Sequence, residues 1–222
     1  MTDLERELRG MFEVREERFA HGAFAVEMVL PRAADALIDD EEFGQDERLP
    51  YWAELWPSAR ALARHLLDAP PAESAIVELG CGLALPSLAL RALGKDPLAT
   101  DYYTQALRFA RANAERNALA PLRTEMLDWR RPPAALHPEL VLAADVLYEL
   151  RNAEALVELL PGLVATGGRV LVADPGRVYQ TEFRNRMHFA VWRVEEVDVR
   201  SEVSDPVTGA ESTVRIFELR RR

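Results

Sequence analysis

At 222 residues and 49% hydrophobic composition, the chain can bury the core of one α/β domain and is short for two. Asp and Glu outnumber Lys and Arg by 37 to 27, a formal net charge of -10, which disfavours sequence-independent binding to phosphate backbones and hence a nucleic-acid partner. The longest apolar runs, such as Val170 to Ala173 with its neighbours, fall far short of the roughly 20 residues a membrane helix needs, and the N-terminus Met1-Thr2-Asp3-Leu4-Glu5 is acidic rather than signal-like, so the expectation is a cytoplasmic protein without a membrane partner.

The chain opens on a charged segment, Asp3 to Phe19, that reads as a helix, followed by an apolar stretch, Phe24 to Leu30, that reads as a strand. An acidic connector, Asp39-Asp40-Glu41-Glu42 through Glu47, comes next; its like charges and low apolar content predict a solvated loop. After Leu49-Pro50-Tyr51-Trp52-Ala53-Glu54-Leu55-Trp56-Pro57, the residues Ala59, Leu62, Ala63 and Leu66 recur at helical spacing, with Pro57 suited to the first turn, where its missing N–H costs nothing. From Ala75 onward strands and helices alternate. Strands are predicted at Ala75–Leu79, Pro97–Asp101, Leu122–Leu127, Leu140–Ala144 and Arg169–Ala173. Helices are predicted at Leu83–Leu93, Thr104–Asn117, Glu154–Leu163 and Thr181–Phe189. Val191–Val199 and Ser212–Leu219 alternate instead, which predicts a closing antiparallel pair joined at Asp205-Pro206-Val207-Thr208-Gly209. Repeated βαβ units ending in such a pair predict a Rossmann-like α/β doubly wound sheet with one antiparallel strand near the C-terminus.

Within that pattern, Val77-Glu78-Leu79-Gly80-Cys81-Gly82-Leu83-Ala84 is a buried strand running into a glycine turn and an apolar helix, and Ala99-Thr100-Asp101 ends the next strand on a carboxylate. A carboxylate in that place can accept hydrogen bonds from the two ribose hydroxyls of a nucleoside. A dinucleotide fingerprint would need Gly or Ala at position 85, which is Leu. Ligands of such sheets sit at the carboxyl ends of the strands, here Glu78 to Gly82, Asp101, Asp128 with Trp129, Asp145 and Asp174. The single cysteine, Cys81, excludes an internal disulfide and a cysteine-based metal site. His21, His65, His137 and His188 are scattered and give no metal-site spacing.

The glycine turn, of the form E/D-x-G-x-G-x-G with Ala84 in place of the last glycine, resembles motif I of S-adenosylmethionine-dependent methyltransferases (class I). Together with Leu49-Pro50-Tyr51-Trp52-Ala53, Trp56-Pro57, Leu127-Asp128-Trp129, Asp145-Val146-Leu147-Tyr148 and Asp174-Pro175-Gly176-Arg177, it resembles the seven-β-strand protein lysine methyltransferases. The pairing of Pro-Tyr-Trp-Ala with Asp-Pro-Gly-Arg is most similar to the group that methylates the β subunit of electron transfer flavoprotein. The resemblance covers roughly residues 49 to 220, and implies a methyltransferase domain at 49–222 preceded by a helical and strand extension at 1–48.

It also implies S-adenosylmethionine as cofactor and a protein presenting a lysine as partner, in a chain for which a monomer is favoured. Gly80, Cys81 and Gly82 would border the methionine part with Glu78 supporting the turn, and Asp101, with Tyr102 beside it, would hold the ribose. Asp128 and Trp129 would meet the adenine, Trp56 would cover the cofactor, and Ala144 would end the strand beneath it. Asp145 and Tyr148 would face the methyl, Asp145 orienting the acceptor amine and Tyr148 packing on the lysine stem or hydrogen-bonding near the amine. Asp174 to Arg177 would rim the acceptor channel, while Arg184, Arg186 and Arg220-Arg221-Arg222 read as solvated ends. Two other readings stay open: a small-molecule N- or O-methyltransferase with residues 1–48 as its lid, and a non-catalytic protein-interaction module.

Overall fold

Four short strands, each with buried residues at nearly every position, set the frame. They are β3 (Ile76–Leu79), β4 (Leu98–Asp101), β6 (Leu140–Ala144) and β7 (Arg169–Asp174), and strands this uniformly apolar are stable only when helices cover both faces of their sheet. The computed structural model describes residues 1–32, 50–131, 135–205 and 208–222; Leu49, the acidic connector and Pro206-Val207 of the closing turn lie outside them. With β5 (Arg123–Met126), β8 (Trp192–Asp205) and β9 (Ala210–Arg221) the strands form a seven-stranded sheet in the order β5-β4-β3-β6-β7-β9-β8. Only β9 runs antiparallel to its neighbours β7 and β8, as the closing alternation predicts.

Alternate residues of each strand feed opposite layers. Leu140, Leu142, Leu171 and Ala173 pack with Ala61, Leu62 and Leu66 of α2 (Pro57–Asp68). Val141, Ala143, Val170 and Val172 pack on the other face with α5 (Leu150–Leu163) and α6 (Gln180–Phe189). Helices α3 (Leu85–Ala92) and α4 (Thr104–Arg116) complete the first layer. Register fixes the level of the site: Leu79 lies between Thr100 of β4 and Ala143 of β6, and Ala144 is opposite Ala173. Gly80, Asp101, Asp145 and Asp174 therefore emerge side by side at the carboxyl edge.

The N-terminal segment differs from the sequence expectation. The helix α1 stops at Met11 (Asp3–Met11), and Val14–His21 is a strand, β1, paired residue for residue with β2 (Phe24–Pro31) across a tight turn at Gly22, φ +56°. Charged side chains at Arg15, Glu16, Glu17 and Arg18 mimic helical composition, but partnership with β2 and burial of Phe19 decide the strand. Phe19, Phe24, Val26 and Met28 share one core with Trp52, Leu83 and Leu85. The last strands are also longer than predicted: β8 passes two register shifts and continues to Asp205, and β9 runs on through Arg220 and Arg221, whose side chains stay exposed as expected. Arg184, by contrast, is no solvated end, its guanidinium lying 4.4 Å over the Phe217 ring.

Candidate functional site

The turn after β3 places three residues in the left-handed region in alternation: Gly80 (φ +61°), Gly82 (φ +51°) and Ala84 (φ +58°). A Cβ at Gly80 would meet the Trp129 ring at 3.2 Å and Val146 at 3.3 Å, and one at Gly82 would meet the Trp52 carbonyl oxygen at 3.2 Å. Glycine at both positions thus lets Trp129, Val146 and Trp52 close on the turn, while Gly80, Cys81 and Gly82 line one wall of a cleft. Thr100 Oγ1 donates to the Glu78 carbonyl at 2.7 Å and Cys81 N to the Thr100 carbonyl at 2.9 Å, so the turn is stitched to β4.

Glu78 is 1% exposed, and its carboxyl accepts hydrogen bonds from Ser87 N (3.0 Å) and Ser87 Oγ in the first turn of α3. Burial pushes its pKa up to about 8, against the pull of the two Ser87 hydrogen bonds and with a small push from Asp101. Glu78 is therefore protonated at neutral pH, a brace for the turn rather than a charge in the cleft. Burial likewise raises the Cys81 thiol well above its ordinary value, which leaves it unreactive. Asp101 ends β4 with both carboxylate oxygens engaged by main chain: Oδ2 accepts from Gly82 N and Oδ1 from Tyr103 N, each at 2.9 Å. One side chain so ties the glycine turn to the start of α4.

Across the cleft, Asp145 occupies the first position after β6 with φ +58°, a strained conformation for a non-glycine residue, held by Asp145 N donating to the Ala173 carbonyl. Its carboxylate is 5% exposed and accepts from Ser58 Oγ at 3.2 Å and Arg177 Nε at 2.6 Å. Tyr148 packs edge-on against Tyr51 at 5.0 Å, Tyr51 against Trp56 at 6.1 Å, and Trp56 Nε1 donates to the Tyr51 carbonyl. The Arg177 guanidinium lies 5.3 Å over the Trp56 ring. On the β5 side, Asp128 pairs with Arg130, which also lies over Tyr102.

The structure brings twelve of the predicted site residues to this one cleft: Trp56, Glu78, Gly80, Cys81, Gly82, Asp101, Tyr102, Asp128, Trp129, Ala144, Asp145 and Tyr148 all line it, whereas Asp174 to Arg177 do not. Sequence reasoning missed Ser58, whose position two residues after Trp56 at a helix N-terminus was its only signal, and Arg151 and Asn152, which lie on the first turn of α5 and carry none. Asp174, expected on the rim, is fully buried, and its Oδ1 accepts from Gly176 N, Arg177 N and Gln180 Nε2. Among the described residues no cluster of His, Cys, Asp and Glu is arranged to hold a metal, and no helix is long and apolar enough to cross a membrane.

Comparison with known proteins gives a matching answer. Residues 42–188 match the model of a family described as lysine methyltransferase. The chain is 34% identical over 140 residues to the electron transfer flavoprotein beta subunit lysine methyltransferase of Danio rerio, covering 58% of this chain and 51% of that one. To the Homo sapiens protein of the same name it is 32% identical over 140 residues, covering 58% and 50%. The chain thus spans about half the length of the curated relatives it matches. In fold it is similar to magnesium protoporphyrin IX methyltransferase from Synechocystis PCC 6803 with bound SAM (TM-score 0.56, 14% identity, 74% of this chain and 78% of that one). It is also similar to the Pyrococcus abyssi tRNA (uracil-54, C5)-methyltransferase in complex with S-adenosyl-L-homocysteine (TM-score 0.55, 16% identity, 92% and 44%).

Proposed function

The chain belongs to the lysine methyltransferase family, and from that premise we propose that its cleft takes S-adenosylmethionine and that its product is a methylated lysine on a protein. One observation carries the reading: the glycine turn after β3, Asp101 after β4 and the Asp145–Tyr148 segment after β6 open into the same cleft. The turn at Gly80, Cys81 and Gly82, which lines the cleft with a side chain at only one of its three positions, suits a ligand that carries no phosphate and needs close backbone approach. In this reading Asp101 accepts the ribose hydroxyls while holding the turn, Tyr102, Asp128 and Trp129 flank the base, Ala144 floors the cleft, and Trp56 covers it. When bound, the cofactor supplies an electrophilic methyl on a sulfonium, which is already a good leaving group.

What remains for the protein is to present a neutral amine in line and exclude water. A lysine at neutral pH is almost wholly protonated. The aromatic wall of Tyr51, Trp56 and Tyr148 desolvates an incoming side chain and so lowers its pKa. Asp145 then orients the amine by accepting its N–H groups, and Tyr148 packs on the lysine stem. The electron transfer flavoprotein β subunit, named in the relatives' descriptions, is the first acceptor to test. None of residues 1–32 lines the cleft, so the described part of the N-terminal segment does not supply the lid that a small-molecule methyltransferase would need. We place the activity in the cytoplasm, in keeping with a lone buried cysteine.

The test is to incubate the protein and its Asp101→Ala variant with methyl-labelled S-adenosylmethionine and either recombinant electron transfer flavoprotein β subunit or a cell extract. Label that acid hydrolysis resolves into methyl-lysine, and that the variant fails to incorporate, supports the reading. Label confined to low-mass metabolites, or none in any fraction, overturns it.

A further inference from the structure

Arg177 is held in place by more contacts than a rim residue needs. Buried Asp174 accepts from Gly176 N at 2.7 Å and from Arg177 N at 2.8 Å, folding the Asp-Pro-Gly-Arg turn back over the end of β7. Gln180, the first residue of α6, donates to the same oxygen at 3.0 Å. The turn so built aims the guanidinium between two partners, with Nε on Asp145 at 2.6 Å and Cζ 5.3 Å over the Trp56 ring. Burial works against that cation, but the hydrogen bond and charge of Asp145 outweigh it and hold Arg177 above its ordinary pKa.

This bears on a conflict in the chemistry proposed above, on which the inference rests. A bare carboxylate beside the acceptor would attract the ammonium form and oppose the proton loss that must precede attack. From this arrangement we infer that Arg177 is a positioning residue that neutralises Asp145 in advance, so that the carboxylate orients the acceptor lysine without stabilising it as a cation. Arg177 gives up no proton; the proton lost by the ammonium goes to water, and the lone pair it uncovers is the nucleophile. Asp174 beneath and Tyr51 ahead of α2 also act on the Arg177 charge, and the cleft beside the pair is lined further by Glu54, Glu78, Asp101, Asp128, Arg130, Tyr148 and Arg151. Arg215 of β9, opposite Asp174 in register, is paired with Glu196. None of these places a second cation on Asp145, whose charge partner is Arg177 alone among the described residues.

The experiment has two arms. In the first, n-butylammonium, a mimic of the lysine stem, is titrated at pH 7 in the presence of S-adenosylhomocysteine and followed by ligand-observed NMR. Arg177→Gln is expected to bind it about fivefold more tightly than the wild type, and Arg177→Lys no more tightly. Equal or undetectable binding to wild type and Arg177→Gln overturns the inference whether or not any acceptor protein is methylated. In the second, kcat/KM toward electron transfer flavoprotein β subunit is measured from pH 6.5 to 10. Arg177→Gln is expected to lose about tenfold at pH 7, to recover by pH 9.5 and to show a profile moved about one pH unit alkaline, with Arg177→Lys close to wild type. A loss by one constant factor at every pH, with an unmoved profile, marks a merely structural turn and overturns the inference. Wild-type inactivity in this arm counts against the proposed acceptor instead and leaves the binding arm to decide on Arg177. Arg177→Met, equally uncharged, replaces Arg177→Gln in both arms if thermal melts show the latter unfolded.

Discussion

The Glu78 carboxyl at the end of β3 receives both the backbone N–H and the hydroxyl of Ser87, so a single buried side chain caps α3 and braces the glycine turn. Because it is protonated in the folded protein at neutral pH and ionises near its ordinary value when unfolded, the pair carries a pH signature. The raised pKa means stability that is fully present below about pH 4.5 and drains away as the pH climbs to about 8, at close to 1.4 kcal/mol per pH unit in between. Glu78→Gln keeps an acceptor for Ser87 and removes the ionisable group. Its stability relative to wild type is expected to rise steadily from pH 5 to pH 8, read by urea denaturation at each pH. A constant difference across that range would show that Glu78 is already ionised in the fold.

The three left-handed residues of the turn are not equivalent. A Cβ at Gly82 runs into the Trp52 carbonyl, which is backbone and cannot swing aside, while one at Gly80 meets the half-buried Trp129 side chain and Val146. Both substitutions to Ala also carry about 1–2 kcal/mol of conformational cost. Gly82→Ala is expected to destabilise by roughly 3 kcal/mol or more and Gly80→Ala by about 1–2. At position 84 the residue already bears that conformational cost. Ala84→Gly relieves it but gives up a buried methyl worth about 0.8 kcal/mol and adds unfolded-chain entropy, so it is expected to be neutral to within about 1 kcal/mol. Thermal melts of the three variants check the order.

Asp101 serves the turn and, in the proposed function, the ribose, and the two roles separate by measurement. Asp101→Ala strips Gly82 N and Tyr103 N of their acceptor and is expected to cost about 1–3 kcal/mol of stability. Loss of two charge-assisted hydrogen bonds to a ribose is expected to weaken S-adenosylhomocysteine binding about 100-fold by calorimetry, with Asp101→Asn intermediate in both. Full affinity in a folded Asp101→Ala would remove Asp101 from the binding role.

Much of this was readable in the chain because the signals were local. A parallel strand buried on both faces is a short apolar run, and Gly80, Asp101 and Asp145 each follow such a run directly, so strand order alone gathers them. What escaped had two causes. Val14 to His21 carries four charged residues in a row, which masked the local hairpin signal of Gly22 between it and Phe24 to Pro31. Ser58 and Arg177 meet on Asp145 from positions far apart in sequence, a convergence that only the packed sheet reveals.

The N-terminal hairpin illustrates the same point and yields the last prediction. Asn113 on α4 and Asn117, which caps its C-terminus, lie one turn apart on the helix whose apolar spacing alone predicts burial of Leu107, Ala110 and Ala114. Asn113 accepts from Val29 N at 2.7 Å and donates to the Val29 carbonyl at 3.0 Å. Asn117 does the same to Glu27 at 2.8 and 3.0 Å. Two residues apart on a strand and four apart on a helix come to one edge, so the two amides take the place of a third strand along β2. Asn113 is fully buried, and Asn113→Ala leaves a main-chain donor and acceptor of Val29 unsatisfied; the expected cost is about 2–4 kcal/mol, against about 1 for the partly exposed Asn117→Ala. Asn113→Asp is the sharper variant. It keeps the acceptor for Val29 N but cannot donate to the carbonyl, and it buries a charge, so it is expected to be at least as destabilising as Ala at pH 7 and to recover as the pH falls and the carboxyl gains a proton to donate. Because no residue of the hairpin lines the cleft, S-adenosylhomocysteine affinity below the melting temperature should stay at the wild-type value in all three variants. A drop in affinity without a drop in stability would mean that the hairpin reaches the site through α4 after all.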